Sequence, residues 1–99
     1  MSKLFVLIRN DIPLAYQGVQ GGHAVAQWLL ENPQQTWNNN ILVYLKVKDL
    51  QDLQRWIFKL DLKQVKYSKF IEPDIGDEIT AIATQADEKL FQKLNLMGT

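Results

Sequence analysis

The sequence lacks cysteine altogether and carries a single histidine among its 99 residues. Without cysteine there is no disulfide, no thiolate nucleophile and no cysteine-based zinc site. A metal site would have to take most of its ligands from carboxylates. We therefore predict no metal and no cofactor.

Net charge and long apolar runs are also missing. Eleven Lys and Arg balance 11 Asp and Glu, so no global field draws the chain to nucleic acid or to a membrane surface. The longest apolar runs, Leu4 to Ile8 and Ile41 to Leu45, fall far short of the roughly 20 residues that cross a bilayer, and no signal-like stretch precedes them. A soluble cytoplasmic protein is predicted, and any RNA contact must use a local patch.

The chain length predicts one domain, covering residues 1–99, because 99 residues are too few for two folded units and a linker. Leu4 to Ile8 is typical of a central strand, buried on both faces. Helical spacing follows from about Gln17 to Asn32, a polar loop covers residues 34–40, and Ile41 to Val47 is a second buried strand.

In the second half, Asp49 is a predicted cap for a helix whose apolar residues recur at helical spacing from Leu50 to Leu60. A weaker strand is predicted at Val65 to Ser68, at the edge of the sheet, and another from about Glu78 to Ala83. Leu90, Leu94 and Met97 are spaced as on a final helix, with Thr84 and Asp87 resembling a capping pair before it.

The order β-α-β-α-β-β-α predicts an α/β fold: a three-layer α/β/α sandwich with a four-stranded mixed sheet and helices on both faces. The segment from Gln17 to Ala24 holds three glycines and His23 at the expected start of the first helix. Two interpretations stay open for it. The glycines let the helix pack closely on the sheet, or the N–H groups and dipole of the helix start receive an anion or a developing oxyanion.

Three stretches of the chain resemble the type 2 peptidyl-tRNA hydrolase family. Residues 4–11, Leu-Phe-Val-Leu-Ile-Arg-Asn-Asp, resemble its opening strand with an Arg-x-Asp ending. Residues 20–24, Gln-Gly-Gly-His-Ala, resemble its Gln-Cys-Ser-His-Ala segment, and residues 79–83 resemble its closing strand. The resemblance implies hydrolysis of the ester that joins a peptide to the end of a tRNA.

The chain departs from that family at two places. The lysine-rich turn of the family is shorter here and reads Ile-Pro-Leu-Ala-Tyr-Gln at residues 12–17, so the catalytic lysine is missing. The family's Asp-Ala-Gly-Arg-Thr segment falls at residues 68–72, where neither the acidic residue nor the threonine is matched. Gln20 and His23 are what remains of the motif.

Ester hydrolysis needs a group that activates water and a group that holds the oxyanion, and side chains of both kinds follow the predicted strands and start the first helix. The predicted catalytic residues are His23, Gln20, Asp11 and Asp74. The predicted binding residues are Arg9, Tyr16, Gly21, Gly22, Glu72 and Lys69.

Three functions remain open on the sequence. The chain hydrolyses peptidyl- or aminoacyl-tRNA, it keeps the fold as an inactive binding or regulatory module, or it acts on another small substrate through Glu72 and Asp74. The alternative for these two acids is that they only solubilise a loop. Two partners are predicted: tRNA, through a patch drawn from Lys46, Lys48, Lys63, Lys66 and Lys69, and a second copy of the chain, through the edge strand or an exposed aromatic.

Overall fold

The computed structural model describes residues 3–34, 37 and 40–99. Its helices and strands are β1 (Lys3–Arg9), α1 (Leu14–Glu31), β2 (Leu42–Val47), α2 (Leu50–Leu62), β3 (Ser68–Glu72), β4 (Glu78–Ala86) and β5 (Asn95–Leu96). Two short 3₁₀ turns, Pro73–Ile75 and Glu88–Phe91, follow β3 and β4. Four residues of the predicted polar loop, Gln35, Thr36, Asn38 and Asn39, lie outside the described part of the chain.

The five strands form one mixed sheet in the order β3-β4-β1-β2-β5. β1 runs parallel to β2, and the pairs β1/β4, β3/β4 and β2/β5 are antiparallel. The α/β class is confirmed, whereas the prediction of four strands is wrong. The additional strand, β5, pairs Leu96 with Leu45 and Asn95 with Lys46, and two residues are too few to show a strand period.

The apolar run of β1 occupies the middle of this sheet, as predicted. Leu4, Val6, Leu7 and Ile8 are all 0% exposed. Leu4, Val6 and Ile8 belong to a cluster with Ala24 and Trp28 of α1. Alternate residues of the strand, Phe5 and Leu7, join a second cluster with Leu53 and Leu60 of α2. Each helix is thus held by its own set of β1 side chains, because successive side chains of a strand point to opposite faces.

The predicted capping of α2 is confirmed. Asp49 has extended backbone dihedrals, and its side chain accepts a hydrogen bond from the backbone N–H of Asp52. In contrast, α1 begins at Leu14, about one turn before the predicted start at Gln17. Pro13 precedes the helix, and its carbonyl accepts from the backbone N–H groups of Tyr16 and Gln17. The Gly-His segment therefore lies inside α1.

The final helix predicted from Leu90, Leu94 and Met97 is wrong. Leu90 and Leu94 pack against the α2 cluster, whereas Met97 packs against the α1 cluster, so the three side chains share no single face. Asp87 caps only a short 3₁₀ turn. Thr84 donates instead from within β4 to the carbonyl of Lys66 at 2.6 Å.

The third strand also differs from its predicted bounds, because β3 starts at Ser68, where the predicted strand ended. Gln64 has a φ of 57°, and the backbone N–H of Val65 donates to the carbonyl of Leu60, so Val65 belongs to the turn that closes α2. β3 does lie at the edge of the sheet. None of the described helices is long and apolar enough to cross a membrane.

Candidate functional site

A cavity of about 370 Å³ opens beside the first turns of α1. The chain segment before α1, the 3₁₀ turn after β3 and the start of β4 complete its wall. The residues that form the wall are Ile12, Pro13, Tyr16, Gln20, Glu72, Asp74, Ile75 and Thr80. Four predicted site residues, Tyr16, Gln20, Glu72 and Asp74, are therefore brought together from segments far apart in the sequence.

The Gln20 amide is held on both sides. The Thr80 hydroxyl donates to Gln20 Oε1 at 2.8 Å, and Gln20 Nε2 donates to Glu72 Oε2 at 2.9 Å. Gln20 is 7% exposed and Thr80 is 0% exposed, so little water competes for these bonds. A carboxamide has two N–H donors, of which Glu72 occupies one. The other is available to a ligand in the cavity.

Glu72 is the more firmly held of the two cavity carboxylates. Besides the bond from Gln20, its Oε1 accepts from the backbone N–H of Asp74 at 3.1 Å. Hydrogen bonds to the charged form stabilise it, so the Gln20 amide first, and then the Asp74 N–H, lower the pKa of Glu72. The nearby charge of His23 acts in the same direction. Glu72 is therefore ionised at neutral pH.

Thr80 is the polar residue of the cavity wall that the sequence interpretation missed, together with the apolar residues Ile12, Pro13 and Ile75. The pairing of β3 with β4 runs from Phe70 opposite Ala81 to Ile71 opposite Ile79, so Thr80 is the extra residue of a β-bulge. Bulges re-aim side chains, and this one accompanies the contact of the Thr80 hydroxyl with Gln20. A lone hydroxyl residue in the apolar strand sequence of residues 79–83 was the available signal.

His23 lies one turn along α1 from Gln20, outside the cavity wall. Its exposed ring stacks on Phe70, with 4.4 Å between the ring centroids and 11° between the ring planes. Phe70 is two residues before Glu72 on β3, which accounts for the electrostatic effect of His23 on that carboxylate. A catalytic role for His23 stays a prediction.

Arg9 and Asp11 form a separate cluster at the end of β1. Arg9 Nε and Nη2 donate to the two carboxylate oxygens of Asp11 at 2.9 and 2.8 Å, and Nη1 donates to Glu78 at 2.7 Å and to the carbonyl of Ile79 at 3.2 Å. The Asp11 side chain is 38% exposed, and the hydrogen bond from Arg9 is the main reason that its pKa lies below the ordinary value. The cluster fixes the end of β1 to the start of β4.

Lys69 lies near the opposite end of α1 from the cavity. It is exposed on β3, next to Ser68, whose hydroxyl donates to Glu31 at 2.7 Å. That hydrogen bond is the main cause that lowers the pKa of Glu31, and the charge of Lys69 contributes. A binding role for Lys69 in the cavity has no contact to support it.

The two glycines predicted to bind ligand occupy different environments. A Cβ atom added to Gly21 would lie 2.7 Å from Tyr44 Cε2 and 3.0 Å from Ile8 Cδ1, whereas one added to Gly22 would meet nothing within 4 Å. Both residues are inside α1, where backbone N–H groups donate to the preceding turn. Gly21 therefore serves the close packing of α1 on the sheet, and the interpretation of this segment as a helix N-terminus is wrong.

Alanine substitutions at these two glycines should separate packing from helix propensity. Both variants are stabilised by the higher helix propensity of alanine, which is worth about 0.8–1 kcal/mol relative to glycine. Only Gly21→Ala also overpacks the contact with Tyr44, which typically costs about 1–3 kcal/mol. We expect Gly22→Ala to be more stable than Gly21→Ala by about that second amount, measured as free energies of unfolding in urea. Equal stabilities would contradict the packing role of Gly21.

The cavity combines a polar end with an apolar wall. Glu72, Asp74, Gln20 and the exposed phenol of Tyr16 supply hydrogen-bonding groups, and Ile12, Pro13 and Ile75 supply apolar surface. Among the described residues, no lysine or arginine contributes to this wall. Such an arrangement can bind a carbonyl group through the Gln20 amide and place a carboxylate near it, but it repels phosphate.

Comparisons with known proteins identify the fold and nothing further. No protein-family model matches the sequence, and no curated protein matches it. Among solved structures, the chain is similar to a protein of unknown function, Atu0240, from Agrobacterium tumefaciens str. C58. The TM-score is 0.70 at 12% sequence identity, and the match covers 96% of each chain. At this identity the likeness concerns the fold alone.

Proposed function

We propose that the cavity binds the esterified end of a peptidyl- or aminoacyl-tRNA-like molecule and hydrolyses the ester. The observation that carries the proposal is the Gln20 amide, which is buried, held by Thr80 and Glu72, and left with one N–H to donate. Preorganised donors of this kind stabilise the oxyanion of acyl transfer. The resemblance of residues 4–11 and 20–24 to type 2 peptidyl-tRNA hydrolases supports the choice of ester.

The proposed reaction uses water as the nucleophile. Asp74 accepts a proton from a water molecule while the oxygen of that water bonds to the ester carbonyl carbon. The resulting oxyanion accepts a hydrogen bond from Gln20. The intermediate then collapses, the bond from the acyl carbon to the ribose oxygen breaks, and the proton on Asp74 passes to that oxygen. The products are a carboxylic acid and a free ribose hydroxyl, and Glu72 orients Gln20 throughout.

The wider setting is part of the same proposal. The separate clusters of α1 and α2 support an α/β/α arrangement, with one helix on each face of the sheet. We place the protein in the cytoplasm with its tRNA substrate. Dimerisation through β3 also stays a prediction, for which the edge position of that strand is the support.

A binding module that keeps the fold without turnover is the second candidate. It is favoured by the lowered pKa of Glu72, since a carboxylate that holds its charge so firmly is a weak base. It is also favoured by the position of His23, which stacks on Phe70 instead of facing the cavity.

The two candidates differ in a hydrolysis assay with diacetyl-lysyl-tRNA. We expect the wild type to release the acyl group faster than buffer alone, and the Asp74→Asn variant to be about tenfold slower. A sole general base contributes about 10²–10⁴-fold, but Glu72 shares the cavity and, although its lowered pKa makes it a weaker base, can take over a small part of the role. Asp77→Asn is the matched control, because Asp77 is exposed and follows the same turn without bordering the cavity.

Each outcome of this assay assigns a function. If wild-type protein and buffer give the same rate, hydrolysis of this ester is excluded and the binding module stands. If Asp74→Asn and Asp77→Asn slow the reaction equally, Asp74 is not the base. A His23→Ala variant is assayed alongside. If it keeps its activity, the groups that react all lie in the cavity wall; if it loses activity, His23 takes part in the reaction as well.

A further inference from the structure

A second depression, of about 270 Å³, lies at the carboxyl ends of the parallel strands β1 and β2. We call it the lysine groove. Its polar residues are Asn10, Lys46, Lys48, Asp52, Lys93 and Asn95. Ligands of open α/β sheets commonly bind beyond the carboxyl ends of parallel strands. Two of these lysines, Lys46 and Lys48, belong to the patch that the sequence predicted, and Lys93 does not.

The charge of the lysine groove is positive. Its acidic residue, Asp52, is already engaged, because its carboxylate accepts from the backbone N–H of Lys48 at 2.8 Å and from Arg55 at 3.3 Å. Lys46 donates to the backbone carbonyl of Thr99. Within the described part of the chain, neither Lys48 nor Lys93 forms an ion pair. These two ammonium groups are free to bind an anion.

We propose that the lysine groove binds phosphate groups of the RNA strand whose esterified end enters the cavity. The inference rests on the proposed function for its choice of RNA. Lysine ammonium groups bind phosphates as point charges, independently of base sequence.

The position of the groove relative to the cavity supports this pairing. Asn10 borders the groove, whereas Ile12 and Pro13 border the cavity. Two residues of extended chain span at most about 7 Å, so the two depressions are neighbours. Gln17 holds the segment between them, because its Nε2 donates to the carbonyl of Ile12 at 2.9 Å.

The charges of the two depressions are opposite, and this fixes the orientation of the substrate. Glu72 and Asp74 repel phosphate from the cavity, and Lys48 and Lys93 attract it to the groove. A molecule with an uncharged ester at one end and phosphodiesters behind it fits this arrangement. Its phosphates lie along the lysines while its acyl group enters the cavity.

The test is the salt dependence of tRNA binding. The affinity of wild-type protein for a labelled deacylated tRNA is measured between about 50 and 200 mM salt, and again for the double variant Lys48→Gln/Lys93→Gln. The slope of log K against log salt is negative, and each lost phosphate contact on a single strand makes it shallower by about 0.7, so we expect the double variant to make it shallower by about 1.4. Lys59→Gln/Lys89→Gln carries the same change in net charge at exposed lysines outside both the groove and the predicted patch, and should keep the wild-type slope.

Equal slopes for the two double variants would overturn the proposal, and so would undetectable binding by the wild type. Competition with inorganic phosphate distinguishes two kinds of site. If the groove is a site for free phosphate, a low concentration of inorganic phosphate weakens tRNA binding, whereas a groove that binds the phosphates of an RNA strand keeps the tRNA at that concentration. The hydrolysis assay separates this inference from the proposed function. If the salt slope depends on Lys48 and Lys93 but no ester is hydrolysed, the groove binds RNA and the proposed hydrolase activity is wrong. If the ester is hydrolysed but the slope is unchanged in the double variant, the hydrolase activity stands and the role of the groove is wrong.

Discussion

Replacing Gln20 with alanine is expected to lower kcat for ester hydrolysis about 10²–10³-fold, the usual effect of removing one oxyanion donor. Glu72 and Asp74 are acceptors, and the donors that stay in the cavity wall of this variant, the exposed Tyr16 phenol and the freed Thr80 hydroxyl, are not held in place as Thr80 and Glu72 hold the Gln20 amide. KM should change less than kcat, since the oxyanion exists only in the transition state and the intermediate. The measurement is steady-state hydrolysis of diacetyl-lysyl-tRNA.

The control for this variant is Gln27→Ala, which removes an amide from the same helix. Gln27 donates to Glu31 at 2.6 Å, in an exposed pair far along α1 from the cavity. Gln20→Ala also leaves the buried hydroxyl of Thr80 without its acceptor, a loss of about 1–3 kcal/mol in stability, so both variants are assayed at a temperature at which circular dichroism shows them folded. Wild-type kcat in folded Gln20→Ala would remove Gln20 from the reaction.

The fold could be predicted from the sequence where one pattern dominates a segment. The apolar run of Leu4 to Ile8 predicted the central strand, and the spacing from Leu50 to Leu60 with its Asp49 cap predicted α2. The C-terminal segment has no such pattern. Its apolar residues are divided between the α1 and α2 clusters, and a strand of two residues depends on its partner β2 for its existence. Tertiary pairing therefore decides the structure there, and local spacing does not.

The candidate site was predictable to the extent that it depends on residue type near the ends of strands. Glu72 and Asp74 are predicted because they precede the fourth predicted strand, and Gln20 is predicted from the segment that resembles the hydrolase family. The structure places all three around one cavity. For Thr80 the sequence offers only a lone hydroxyl residue in an apolar strand, because the bulge in β4 that accompanies its contact with Gln20 is a property of strand register. Arg9 and Asp11 are also predicted from their position at the end of a strand, but their side chains hydrogen-bond to each other outside the cavity wall.

The Arg9→Met variant is expected to be less stable than the wild type by about 2–3 kcal/mol at pH 7. The Arg9 side chain is 8% exposed, and its loss leaves the Asp11 and Glu78 carboxylates without their shared cation. Breaking a fully buried pair typically costs about 3–5 kcal/mol, and the figure here is smaller because Asp11 and Glu78 are 38% and 43% exposed.

Urea unfolding measures the difference in stability between wild type and Arg9→Met, with Arg55→Met as the control. Arg55 is 63% exposed and pairs with Asp52 at 3.3 Å, so its loss should change stability by less than about 1 kcal/mol.

The pH dependence of this difference identifies its electrostatic part. Because the pKa of Asp11 is lower in the folded protein than in the unfolded chain, the pair stabilises the protein fully above the unfolded value and loses that contribution as the pH falls through the folded value. The free-energy difference between wild type and Arg9→Met should therefore be constant from pH 7 down to about pH 5 and shrink below about pH 4. A difference that stays the same in acid would mean that the arginine stabilises the junction of β1 and β4 without its ion pair to Asp11, through contacts that methionine does not reproduce, such as the hydrogen bond from Nη1 to the carbonyl of Ile79.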